Sequence, residues 1–187
     1  MSLLSTPSQT VGPFLSIGFS ALAVDALAAE HSGGERVLIH GRLLDGDGKG
    51  ASEGVIEVWQ ANVHGRYASP EDPQNKPIDR AFRGFGRVLT NADGEFRFST
   101  VKPGRVPGPG GTSQAPHLAV TVFMRGLLKQ LLTRMYFPEE AANEADPVLK
   151  RVPADRRHTL IARRGADDAL HWNIVLQGED ETVFFDF

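Results

Sequence analysis

Few residue types in this chain could carry chemistry. It has six histidines, two tyrosines and no cysteine. Without cysteine there can be no disulfide and no thiolate nucleophile or metal ligand, a composition that fits a reducing cytosol. His40, His64, His158 and His171 lack H-x-H or H-E-x-x-H spacing, so each reads as a surface or loop histidine. No G-x-x-x-x-G-K-[ST] phosphate loop occurs; Gly84, Gly86 and Gly104 read as backbone devices at turns. The pairs Arg156-Arg157 and Arg163-Arg164 read as a solvated face. His117 follows Pro116 and reads as a part-buried histidine hydrogen-bonded near that bend, because a lone imidazole binds metal weakly. Trp59 reads as core more than as a substrate platform.

Three segments say more. They are VIEVWQANVHGRY (Val55 to Tyr67), GFGRVLTNADGEFRFSTVKPG (Gly84 to Gly104), and APHLAVTVF followed by LLTRMYF. Together they resemble the intradiol ring-cleaving dioxygenases, whose members hold a ferric ion with two tyrosinates and two histidines. The ligand positions that the resemblance implies are largely emptied. Aligned on Phe82-Arg83-Gly84-Phe85-Gly86-Arg87, the first tyrosine position holds Gln74. The second, in Pro103-Gly104-Arg105-Val106-Pro107-Gly108, holds Val106. In Gln114-Ala115-Pro116-His117-Leu118-Ala119 the first histidine survives as His117, while Ala119 replaces the second and Gln114 replaces an arginine. Ferric iron is hard and needs anionic oxygen donors beside imidazole. Gln74 offers a neutral amide, Val106 and Ala119 offer nothing, and neither Tyr67 nor Tyr136 falls on a ligand position.

The ends narrow the resemblance. TPSQTVGPF (Thr6 to Phe14) and QGEDETVFFDF (Gln177 to Phe187) are similar to the non-catalytic chain of heteromeric family members, in which a homologous beta chain binds the iron. The resemblance thus implies a hetero-oligomer in which Fe3+ belongs to the partner and this chain supplies no ligand, acid or base. The implied reaction is insertion of dioxygen between the phenolic carbons of protocatechuate, giving 3-carboxy-cis,cis-muconate. The implied substrate-facing residues are Thr10, Gly12 and Pro13 on the arm, and Arg134 in LLTRMYF. An arginine there suits a substrate that carries a carboxylate. The alternative is a small-molecule or carbohydrate-binding sandwich without enzyme activity, which two tryptophans and 8% aromatic residues equip poorly.

The elements that must position these residues are mostly strands. Residues 1–34 read as an extended arm with a short helix near Ala21–Ala29, and residues 35–187 as one sandwich domain. RVLIHGRLL (Arg36–Leu44), GVIEVWQA (Gly54–Ala61), GRVLT (Gly86–Thr90), EFRFST (Glu95–Thr100) and HLAVTVFM (His117–Met124) carry apolar or alternating strand signals. Asp45-Gly46-Asp47-Gly48 and Asn91-Ala92-Asp93-Gly94 read as hairpin-type turns. Residues 102–116 read as a Pro/Gly-rich loop, and Leu127–Phe137 as a strand despite leucine spacing that also suits a helix. Ala154–Arg164 is the clearest helix candidate; LHWNIVLQ and TVFFDF close the chain as strands. The expected fold is all-β, a two-sheet sandwich of mostly antiparallel strands with an extended arm and one or two short helices. A net charge of −3 gives no electrostatic case for nucleic acid or an anionic membrane. No run approaches bilayer-spanning length and the first residues lack a signal-peptide pattern, so a soluble cytoplasmic protein is expected.

Overall fold

The computed structural model describes residues 4–186. Two sheets face each other. In the first, β1 (Arg36–Leu44) pairs antiparallel with β4 (Glu95–Val101) along one edge. Its other edge takes two short parallel partners in succession, β10 (Leu170–His171) and then β11 (Ile174–Val175), with β9 (Arg163–Arg164) outside β10. The second sheet is antiparallel in the order β3 (Phe85–Leu89), β2 (Val55–Trp59), β7 (His117–Phe123), β8 (Leu131–Tyr136). A separate two-residue ladder joins β5 (Val106–Pro107) to β6 (Ser113–Gln114).

The alternation visible in the sequence sets the core. Side chains two apart on a strand share a face, so Val37, Ile39 and Leu43 on β1 meet Ile56 and Val58 on β2 and Leu118, Val120 and Val122 on β7, with Phe96, Phe98 and Met135 closing the layer. The two turn motifs form: Asp45 to Gly48 closes a tight antiparallel return in which Leu44 bridges Gly50, whereas Asn91 to Gly94 does not join paired strands. Asn91 to Gly94 joins β3 of one sheet to β4 of the other, and Asp45 to Gly48 leads from β1 toward β2 across the same gap. Gly94 has φ +73°, and a Cβ there would lie 2.5 Å from the Leu43 carbonyl oxygen, so the corner packs directly on β1.

Three local expectations are corrected. The arm's helix α1 lies at Phe14–Phe19, followed by a 3-10 turn at Ser20–Leu22. Residues expected to be helical run along the sandwich instead, since Val24 N–H donates to Arg87 and Leu27 N–H to Ser99. Sheet edges offered those backbone groups better partners than a short isolated helix could. In the second correction, Ala154–Leu160 is a 3-10 helix, after which Ile161 bridges Tyr136 and Arg163–Arg164 form β9. In the third, among the described residues the last segment contributes a single bridge, from Phe185 to Leu132, and Leu170–Gln177 splits into two dipeptide strands around Trp172 and Asn173. The strand expected over Leu127–Phe137 exists from Leu131. Among the described residues no helix is long and apolar enough to cross a membrane.

Candidate functional site

The second sheet's outer face, away from the sandwich core, collects the residues that sequence singled out. Register places Trp59 opposite Ala119 and Ala119 opposite Arg134, with His117 opposite Tyr136 one step along the same face. Loops cover this row. Tyr67 stacks parallel on Trp59 at 5.7 Å between ring centroids. Above His117 and Tyr136, the 3-10 segments after β8 bring Leu149, Val152 and Leu160 into a second small core with Ala115. Both rings are therefore buried although they lie on an outer face.

A polar network runs beneath these loops. Arg134 Nη1 donates to Gln114 Oε1 at 2.6 Å and lies 3.5 Å from the Tyr136 hydroxyl. Tyr136 in turn donates to Asp146 Oδ1 at 3.1 Å. Asp146 has no exposed surface. Its carboxylate also accepts from the backbone N–H groups of Ala115, Val148 and Leu149 at 2.7 to 2.9 Å. That satisfaction is what allows a carboxylate to sit in the interior. His117 Nδ1 donates to the Ala115 carbonyl at 2.7 Å, which leaves Nε2 as its lone-pair nitrogen. Burial, reinforced by the Arg134 charge, pushes the His117 imidazole down to about 4. Burial raises the Tyr67 and Tyr136 phenols, and the Arg134 guanidinium opposes the rise in both.

The four positions matched to iron ligands do not fit a ferric ion. Gln74 spends its amide N–H groups on the Gly65 carbonyl at 2.8 Å and on Asp72 at 3.1 Å. Val106 is buried in the β5–β6 ladder, and Ala119 presents a methyl group. His117 Nε2 and the buried, unpartnered Gln74 Oε1 are the donor atoms left at these positions; both are neutral, where a ferric ion needs anionic oxygen, and the Arg134 charge acts on His117 against a cation. Gln114, Arg134, Tyr136 and Asp146 form a chain of polar contacts beside the His117 ring. His117 is more deeply buried than expected, at 5% exposure, and is bonded to Ala115 beside Pro116.

The arm lies apart from this network. Thr10 Oγ1 accepts from the Gly126 N–H at 2.7 Å, which ties the arm to the β7–β8 turn. Gly12 and Pro13 are exposed, and Pro13 caps α1. Leu4, Phe14, Ile17 and Leu22 are 56% to 93% exposed, an unusual density of uncovered large apolar side chains.

A family model described as Dioxygenase matches residues 20–178. The chain belongs to the intradiol dioxygenase family. Within this family it is 43% identical over 99% of its length to the protocatechuate 3,4-dioxygenase alpha chain of Burkholderia cepacia, covering 98% of that protein. It is 41% identical, at the same coverages, to the alpha chain of Pseudomonas putida. The Burkholderia cepacia beta chain is 37% identical over 80% of this chain and 67% of its own length. Similar folds are found in the dioxygenase domain of a dioxygenase carbohydrate-binding fusion from Streptomyces sp. SirexAA-E, with 23% identity, a TM-score of 0.63 and coverage of 86% of this chain and 89% of that one. The intradiol ring-cleavage dioxygenase from Tetranychus urticae has a TM-score of 0.61 and 18% identity, covering 82% and 85% of the two chains. The all-β sandwich is thus the family's fold, and family members use iron.

Sequence reasoning missed Asp146 as the centre of this network. Asp146-Pro147 followed by an apolar run is a turn-forming signal, yet nothing local says that the carboxylate reaches Ala115 and Tyr136.

Proposed function

We propose that this chain is the iron-free alpha subunit of a heteromeric protocatechuate 3,4-dioxygenase, paired with a homologous beta chain that holds the ferric ion. The supporting observation is the donor set: three of the four ligand positions carry Gln74, Val106 and Ala119, in a chain that matches alpha chains end to end. The reaction is intradiol cleavage of protocatechuate with dioxygen to 3-carboxy-cis,cis-muconate, in aromatic compound catabolism in the cytoplasm. The iron in the partner supplies the oxygen chemistry.

This chain's own part is shape and charge. Thr10, Gly12 and Pro13 would wall the shared pocket from an arm that is exposed in the single chain, and Leu4, Phe14, Ile17 and Leu22 would be covered by the partner. Arg134 is half-buried and has no ion-pair partner among the described residues; its Nη1 is engaged, while Nε and Nη2 make no hydrogen bond among them. Those free N–H groups suit a substrate carboxylate. The test is iron analysis of the purified chain alone after reconstitution with ferric iron. The expected result is no stoichiometric iron and no tyrosinate-to-iron charge-transfer band. A coloured, iron-bearing chain would overturn the proposal.

A further inference from the structure

A second cluster of possible ligands lies on the other sheet, independent of the reading above. β1 and β10 run parallel with His40 directly opposite His171, so both imidazoles stand side by side on the outer face. Their rings meet edge to face, with centroids 5.5 Å apart and planes at 88°. The turn between β9 and β10, closed by the Gly165 N–H to the Ala169 carbonyl at 2.8 Å, swings Asp167 back over both rings. Its Oδ1 is 3.0 Å from His171 Nε2, and its Oδ2 is 3.6 Å from His40 Nδ1. All three donor atoms lie within 4.8 Å of one another.

We propose that His40, Asp167 and His171 form a surface site for one divalent transition-metal ion, with zinc as its simplest probe. Zinc binds imidazole nitrogen and carboxylate oxygen at about 2.0–2.2 Å, which puts tetrahedral ligand atoms roughly 3.3–3.5 Å apart. The observed separations reach that spacing by small side-chain rotations, without backbone movement. Two imidazoles and one carboxylate are also the donor types a borderline cation selects when no thiolate exists. Asp167 Oδ1 also accepts from the Ala169 N–H at 3.3 Å within the turn, yet the carboxylate is shared between two imidazoles from separate strands.

The surroundings define what completes the coordination. His40 and His171 border an open cleft of about 1090 Å³ that also presents Arg42, Arg97 and Asn173. Arg97 is opposite His40 on β4, and Arg163 is opposite His171 on β9. These guanidiniums oppose a bare dication but favour one carrying an anionic fourth ligand from the cleft. No local spacing marks this site, because its two histidines are 131 positions apart and meet only through strand register.

The experiment is equilibrium dialysis of the tag-free full chain against radiolabelled zinc, compared with the His40→Ala/His171→Ala double variant and with Asp167→Asn. Circular dichroism confirms that each protein is folded. The wild type should take up one more zinc per chain than the double variant, with micromolar affinity, and Asp167→Asn should bind at least about ten-fold more weakly. Equal uptake by wild type and double variant overturns the site. Should the double variant not fold, wild-type affinity in the exposed-turn variant Asp167→Asn overturns it equally.

Discussion

Acid should strip stability from this chain through His117. The imidazole is 5% exposed, donates through Nδ1 to Ala115, and faces the Arg134 cation on one side and the Asp146 carboxylate on the other. Folding lowers it from 6.5 to about 4, chiefly by burial and then by Arg134. Between those pH values the unfolded chain binds a proton that the folded chain refuses, so stability must fall as pH falls. Above about 6.5 both states are neutral at this site and the effect vanishes; below about 4 both are protonated and the loss is complete. At about 1.4 kcal/mol per pH unit, the whole window accounts for about 3.5 kcal/mol, about 3 kcal/mol of it by pH 4 where the folded imidazole is half protonated, a large part of the stability of a domain this size. The comparison variant is His117→Asn, whose amide can keep the Ala115 hydrogen bond while removing the titration. Urea unfolding followed by Trp59 and Trp172 fluorescence, at fixed protein concentration so that association stays constant, gives both stabilities at pH 7 and pH 4. The wild type should lose about 3 kcal/mol more than the variant over that interval. Parallel losses would mean that His117 is protonated in the folded chain, and the burial argument would be refuted.

Other outcomes follow from the same geometry. Asp146→Ala removes the acceptor for three backbone N–H groups and the Tyr136 hydroxyl, and at about 1–3 kcal/mol per buried unsatisfied group it should cost at least about 3 kcal/mol in a denaturant titration. Arg134→Ala in the co-expressed complex should mainly raise KM for protocatechuate, by roughly ten-fold from the loss of one charge-assisted hydrogen bond; an unchanged KM returns Arg134 to a purely structural role beside Gln114. Deleting residues 1–14 should lower both assembly and kcat/KM at matched iron content, as seen by gel filtration and steady-state kinetics. Unaltered assembly and rate would leave the arm without a part in the pocket.

The sheet interiors were legible in the sequence because alternation is a local signal: β2 and β7 show their core faces in their own residues. The destination of each strand was not. Asn91 to Gly94 has hairpin chemistry, but β3 pairs with β2 and β4 with β1, in different sheets. Helical spacing in Ala154–Arg164 lost to backbone pairing with Tyr136 and with β10. At the site, the residues standing at the expected ligand positions could be read one by one, whereas the polar network beside His117 could not. Arg134 meets Gln114 across 20 positions and Asp146 meets Ala115 across 31, contacts that only the folded register creates.

The central claim is that catalysis needs two different chains, one with the iron and one without it. The most direct measurement is oxygen uptake with protocatechuate by this chain alone, by its homologous beta chain alone, and by the two co-expressed, each normalised to bound iron. No turnover by this chain alone, together with a beta-chain rate per iron that rises when this chain is present, is the predicted result. Iron-dependent turnover by this chain alone, or a beta-chain rate indifferent to its presence, would contradict the account.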